Sequence, residues 1–383
     1  MAFLVAAPGG GLAESVAMSD TAAPALKNIF DPARLRHIAA ETAAVYPRFD
    51  SKEFLKLALK DLDDLSLMQR LRRTSECLHA TLPADYPKAI AILRKLAPRI
   101  NSGFVTLVLP DYVGLYGRDD FETSMDALKF FTAFGSSEFA IREFIRQDPA
   151  RTLAVMKTWA KDESDHVRRL ASEGSRPRLP WSFRLDALMA DPELAAPILE
   201  TLKADNSLYV RKSVANHLND ITKLHPEWVL KRLKSWPLDN PHTAWIARHA
   251  LRTLIKQGDK QALGVIGAGK KADVSISGFS VSPKKLTLGE RLELSFTLQS
   301  NSRQSQRLVV DYAIHYVKKA GSSSAKVFKL KELTLAAGES VQLSRSQVVR
   351  DFTTRVHHAG RHEVDIMVNG ERLASGFFEL LKP

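Results

Sequence analysis

From about residue 28 to residue 270 apolar positions recur every three or four residues, and from about residue 271 onward they alternate. The chain therefore passes once from a helical to a strand period. Three segments in the middle begin alike: "DPARTLAVMKTW" at Asp148, "DPELAAPILETL" at Asp191 and "HPEWVLKRLKSW" at His225. Each puts proline where a first helical turn tolerates its missing N–H, and Asp148 and Asp191 suit N-caps. Seven and ten residues after each proline stand Met156 and Trp159, Leu199 and Leu202, Leu233 and Trp236, one apolar stripe per segment. A second helix follows each time, in "DHVRRLASE", "LYVRKSVANHLNDI" and "AWIARHALRTLIKQ", with Val167, Val210 and Ile246 in equivalent places.

Successive prolines lie 43 and 34 residues apart. A helix pair cannot bury its apolar face alone, so pairs recurring at such a period stack on their neighbours, as in HEAT-like arrays. "SKEFLKLALKDLDDLSLMQRLRRTSECLHATL" and "DYPKAIAILRKLAPRI" extend the same period toward the N-terminus. Beyond the glycine-rich linker Gly264 to Lys271, seven short runs from "DVSISGFSVSP" to "RLASGFFEL" are separated by turn residues such as Pro283, Gly289, Gly321, Gly338 and Gly370. The predicted fold class is mainly α: a HEAT-like helical-repeat solenoid (an α-α superhelix) over 28–270, then a small all-β immunoglobulin-like sandwich over 271–383. The sandwich has no Cys…Trp…Cys core. Residues 1–27, rich in Gly and Ala without a period, read as a disordered leader within which Met18 is an alternative start.

Charge adds a direction. Residues 1–141 hold 16 Lys+Arg against 17 Asp+Glu, residues 142–270 hold 22 against 15, and residues 271–383 hold 17 against 11, so the net +12 lies in the last two thirds. Clustered Lys and Arg suit a polyanion such as DNA or RNA, through phosphate neutralisation and counterion release; the alternative is a solvated basic surface. The second helices bring Arg168, Arg169, Arg211, Lys212 and Arg248 to similar places in successive repeats, predicting a basic concave face. No apolar run approaches the ~20 residues of a membrane span, and no basic segment precedes the apolar N-terminal stretch. The single cysteine, Cys77, leaves no internal disulfide and fits a reducing cytoplasm.

No phosphate-binding glycine loop, HExxH or GxSxG pattern is present, so neither a cofactor nor a metal is expected, and His357 and His358 read as a surface turn. The chemistry concentrates in "HVRRLASEGSRPRLPW", residues 166–181, where four arginines surround one glutamate and one tryptophan. Glu173 ends a helix, against its dipole, and so calls for a cationic partner among Arg168, Arg169, Arg176 and Arg178. Glu138, in "FGSSEFAIREFI", falls in a first helical turn, where a carboxylate also caps. Trp181 emerges from the proline-bounded "RPRLP". Spacing alone leaves a structural Glu–Arg pair, a helix cap and an inter-helix packing residue as alternatives to three functional groups.

"FGSSEFAIREFI" and "HVRRLASEGSRPRLPW", carried on helix-pair repeats, resemble the AlkC group of the AlkD-type bacterial DNA glycosylases. The resemblance covers about residues 28–270, and the C-terminal module is similar to that of one branch of the group. It implies a monofunctional N-glycosylase, monomeric and cytoplasmic, acting without cofactor on double-stranded DNA that carries cationic lesions such as 3-methyladenine and 3-methylcytosine. An N-alkylated base is already a good leaving group, so catalysis needs stabilisation of an oxocarbenium ion and an oriented water rather than a general acid. The resemblance implies that Glu138 and Glu173 do this, with Trp181 against the sugar or the cationic base. It implies phosphate contacts for Arg168, Arg169, Arg176, Arg178, Arg211, Lys212 and Arg248, and a DNA-gripping role for the β-module. The competing expectation is a non-catalytic HEAT-like scaffold binding nucleic acid or protein through the same face.

Overall fold

The computed structural model describes residues 26–352 and 356–382, so the expected leader lies outside the described residues except for Leu26 and Lys27. The chain forms two compact units that divide between His217 and Leu218. Six helices open the first: α1 (Pro32–Val45), α2 (Ser51–Leu59), α3 (Leu67–Thr81), α4 (Tyr86–Leu96), α5 (Val108–Tyr116) and α6 (Phe121–Phe131). Aspartate starts four of them, Asp31, Asp50, Asp85 and Asp120 each accepting a backbone N–H three residues on.

Next come α7 (Ile141–Gln147), α8 (Pro149–Trp159), α9 (Asp165–Gly174), α10 (Asp186–Ala190), α11 (Ala196–Leu202) and α12 (Leu208–Ile221). The expected stripes are buried at Met156, Trp159, Leu199 and Leu202, and Val167 and Val210 of the second helices are buried as well. Asp148 caps α8 as expected. Asp191 caps instead a short 3-10 turn, Pro192–Ala195, before α11 begins. Pro197 explains the break, because its ring cannot follow the carbonyl of Glu193 in a continuous α-helix.

In the second unit α13 (Pro226–Ser235) carries buried Leu233, and the single helix expected over "AWIARHALRTLIKQ" is interrupted at Leu251 into α14 (Pro241–Ala250) and α15 (Arg252–Lys256). The linker expected from Gly264 overlaps the last turn of α16 (Lys260–Val265). The β-module is a sandwich of β1 (Val274–Ser282), β2 (Lys285–Thr287), β3 (Arg291–Ser300), β4 (Gln306–Val317), β5 (Ser323–Leu335), β6 (Ser340–Val348), β7 (Gly360–Val368) and β8 (Glu371–Leu381). All seven expected runs form strands. The eighth, β2, is too short to carry an alternation and pairs in parallel with β8.

The sheets are ordered β1-β3-β6 and β2-β8-β7-β4-β5. Leu308, Val310, Tyr312 and Ile314 of β4 fill the space between them. Val309, Asp311 and Ala313, on the other face of β4, are buried as well. Helices of the same unit account for this: α15 packs against β5, and Gly258 meets Gly370 so closely that a Cβ on Gly370 would lie 2.6 Å from the Gly258 Cα. Asn369 Nδ2 donates to the Lys270 carbonyl at 3.1 Å, and Arg248 pairs with Glu332 at 3.0 Å. His357, expected in a surface turn, is buried against Tyr316 and hydrogen-bonded to Asp351, because an imidazole edge can fill an apolar gap once its nitrogen has a partner.

Candidate functional site

The site is built on α9. Val167, Leu170, Ala171 and Gly174 form its buried face, and a Cβ on Gly174 would lie 2.4 Å from Ile141 Cγ2, so glycine is what lets the end of α9 close on α7. Arg169 and Glu173, one turn apart, share the next face. Glu173 is 6% exposed and Glu138 is 4% exposed. Arg169 Nη1 lies 2.6 Å from Glu138 Oε2, and Arg169 Nη2 lies 3.8 Å from Glu173 Oε1. Arg176 Nη1 donates to the same Glu173 oxygen at 2.6 Å. Ser136 Oγ donates to Glu138 at 2.7 Å, and the Tyr209 ring of α12 lies 4.7 Å from the Arg169 guanidinium carbon.

Glu138 differs from expectation in one respect. It sits in the turn before α7 rather than in the first turn itself, and its carboxylate is turned to Arg169 and Ser136 rather than used as a cap. Arg169 thus bridges two acids from different parts of the chain. Burial pushes the Glu173 carboxyl up, but Arg169 and Arg176 outweigh burial and hold it below the usual carboxylate range. Burial works against the Arg169 charge too, yet Glu138 and Glu173 raise its pKa further above the ordinary value. Taking such charges out of water costs several kcal/mol per ion, so a buried carboxylate–arginine cluster is weak evidence for stability. Chemically it supplies two buried carboxylates, Glu173 held ionised by its arginines, in a low-dielectric setting where a developing cation is stabilised most strongly.

Trp181 does not bury itself between helices. It is 52% exposed and has φ of +65°, a left-handed backbone that a bulky residue adopts only when its surroundings impose it, at a cost of ~1–3 kcal/mol. It lines a cleft of about 360 Å³ together with Phe139, Phe183, Met68, Arg72 and Arg118; neither glutamate lines that cleft. The segment from α9 to Trp181 is held by a residue that sequence reasoning missed. Arg142 of α7, fully buried, donates to the carbonyls of Gly174 at 3.1 Å, Arg176 at 2.5 Å and Phe183. The available signal was a charge inside the apolar stripe of Ile141, Phe144 and Ile145.

The basic residues divide. Arg168 uses all five of its N–H donors: Nε and Nη2 on Asp205, Nη1 on the carbonyls of Asp162 and Glu163, and Nη2 also on Asn206. Arg211, at the matching place in the next repeat, donates to the carbonyls of Asp205 and Asn206, again six and five residues back. Equivalent positions therefore repeat a loop clamp. Arg169 and Arg176 belong to the carboxylate cluster. Lys212 is exposed and Arg178 half-buried; Arg248 lies in the second unit with its guanidinium on Glu332. No helix among the described residues is long and apolar enough to cross a membrane.

Against known proteins, residues 126–254 match the family model described as DNA alkylation repair enzyme. Residues 275–382 match the model described as uncharacterised protein YhaZ, C-terminal Ig-like domain. The chain is 42% identical over 347 residues to the uncharacterized protein YhaZ of Bacillus subtilis (strain 168), covering 90% of this chain and 96% of that one. Among solved structures, the Pseudomonas fluorescens alkylpurine DNA glycosylase AlkC, bound to DNA containing an abasic site analog, superposes with a TM-score of 0.90. Its sequence is 63% identical, over 94% of this chain and 100% of that one.

Proposed function

The chain belongs to the AlkC group of the DNA alkylation repair enzymes, with a C-terminal immunoglobulin-like domain, and from that premise we propose that it hydrolyses the N-glycosidic bond of cationic alkylated bases in double-stranded DNA. The observation that carries the reading is the pair of buried carboxylates, Glu138 and Glu173, bridged by Arg169. The bond between C1′ and the base nitrogen breaks with its electron pair going to the base, which leaves neutral because it began with a positive charge. The deoxyribose is left as an oxocarbenium ion. Glu173, held ionised by Arg169 and Arg176, faces that charge, and water adds to C1′ as a carboxylate takes its proton.

In this reading Trp181 lies against the sugar or the cationic base, where its ring adds ~0.5–2 kcal/mol of cation–π attraction and excludes water. Lys212 and Arg178 contact phosphates, whereas Arg211, held on loop carbonyls like Arg168, and Arg248, held on Glu332, do so only on giving up those partners; Arg169 and Arg176 keep Glu173 charged near a polyanion that would otherwise repel it. The domains are the repeat glycosylase domain, 28–270, and the β-module, 271–383, which adds grip on the DNA. The reaction belongs to the bacterial cytoplasm, the enzyme acts as a monomer, and it needs no cofactor. The test is release of free base from methylated duplex DNA, followed by chromatography. Release of 3-methyladenine or 3-methylcytosine is expected; tight DNA binding without release would leave a non-catalytic scaffold.

A further inference from the structure

We propose that Arg142 is a positioning residue for excision, one that fixes Glu173 and Trp181 in a single relation; the proposal rests on the glycosylase reading above. Its guanidinium holds both ends of the segment that carries them. Gly174, whose carbonyl accepts from Arg142 Nη1, directly follows Glu173. Phe183, whose carbonyl accepts from Nη2, lies two residues beyond Trp181, and the Arg176 carbonyl between them accepts from Nη1. The Phe183 ring is gripped as well, 5.4 Å from the Arg142 guanidinium carbon and 4.6 Å from that of Arg146.

A planar fork with donors in fixed directions can tie two ends of a loop to one point, which a flexible ammonium cannot do. The segment has internal ties of its own: Leu185 N–H donates to the Pro177 carbonyl at 3.1 Å, and Ser182 N–H to Leu179 at 3.3 Å. These ties close the segment's own turns, and the anchors that Arg142 adds set where it sits relative to the end of α9. The left-handed backbone of Trp181 is the point that relaxes when the far anchor is released.

Arg142→Lys and Arg142→Gln would be compared with the parent for melting temperature, duplex affinity and single-turnover release of 3-methyladenine at saturating protein. Acrylamide quenching of Trp181 would be read by difference against Trp181→Phe. For Arg142→Lys the expected result is a loss of about tenfold or more in release, affinity within about twofold, and altered Trp181 quenching. In the Trp181→Phe background the same substitution should cause much less additional loss, since the two groups act as one. If Arg142→Lys folds and releases base at the parental rate, or if its loss simply multiplies with that of Trp181→Phe, the positioning role is overturned. Should Arg142→Gln fail to fold, Arg142→Lys carries the test. If the parent itself releases no base, the glycosylase reading fails separately, and unchanged Trp181 quenching in Arg142→Lys would then overturn the positioning as well.

Discussion

A carboxylate that reacts and one that merely pairs differ in what their partners do when it is removed. Glu173→Gln leaves Arg169 its contact with Glu138 but removes the carboxylate charge that Arg176 meets at 2.6 Å, and breaking a buried pair can cost ~3–5 kcal/mol. Some loss of stability is therefore expected even if Glu173 is catalytic, and melting temperature alone does not separate the roles. Arg176→Gln breaks the same pair from the other side. Measured well below both melting temperatures and at saturating protein, Glu173→Gln should release base ~10²-fold more slowly or worse, while Arg176→Gln should stay within about tenfold of the parent. Equal losses in the two variants would reduce Glu173 to a structural partner. Glu138→Gln is expected to follow Glu173→Gln. Because Glu173 lies below the usual carboxylate range, its ion-pair contribution to stability is fully present above the ordinary carboxylate pKa and is lost only as pH falls through the lowered folded value.

Elements show why much of the fold was legible from sequence and part of the site was not. Proline at a helix start, aspartate ahead of it and an apolar stripe are local signals; α8 follows all three, α13 the proline and the stripe, and α9 and α12 the apolar period alone. The alternation likewise yields seven strands. Arg142 and Arg169 work through partners 32 to 41 and 31 residues away, and no spacing rule reaches so far. Asp311 is the same lesson in the β-module: it lies in an alternating run, yet the face it occupies is covered by helices of its own unit. Burial pushes its carboxyl up to about 6, against the pull of Lys329 on β5 and Lys256 on α15, while Glu332 on β5 adds repulsion. The folded chain thus keeps a proton that the unfolded chain has released, so the stability from this group is complete below about pH 4 and declines as pH rises through about 6. Asp311→Asn should melt like the parent near pH 4 and above it at pH 7.5, by an amount on the order of 2 kcal/mol. Parallel pH profiles for the two proteins would refute this account.

At the scale of the whole molecule the question is which positive charges meet DNA. The sequence excess of Lys and Arg over the last two thirds counts every cation alike, whereas the structure separates those whose donors are already engaged from those turned to solvent. Arg168 has no N–H left for a phosphate unless it gives up Asp205 and the carbonyls of its own loop. Lys212, beside Arg211 on α12, is exposed. Neutralising Lys212 or Arg178 should therefore weaken binding at all sequences and lower the slope of log affinity against log salt by ~0.9 for each phosphate that is no longer neutralised. Arg168→Gln should instead lower the melting temperature and leave the slope nearly unchanged, because it opens a loop clamp and takes no charge away from the DNA. Fluorescence anisotropy with one duplex over a range of salt concentrations measures affinity and slope together, and a thermal melt of the same preparations supplies the stability. A slope that falls for Arg168→Gln and not for Lys212→Gln would mean that the arginine exchanges its protein partners for phosphate on binding, and the path of the DNA over the repeats would have to be drawn through the loops rather than along the exposed helix faces.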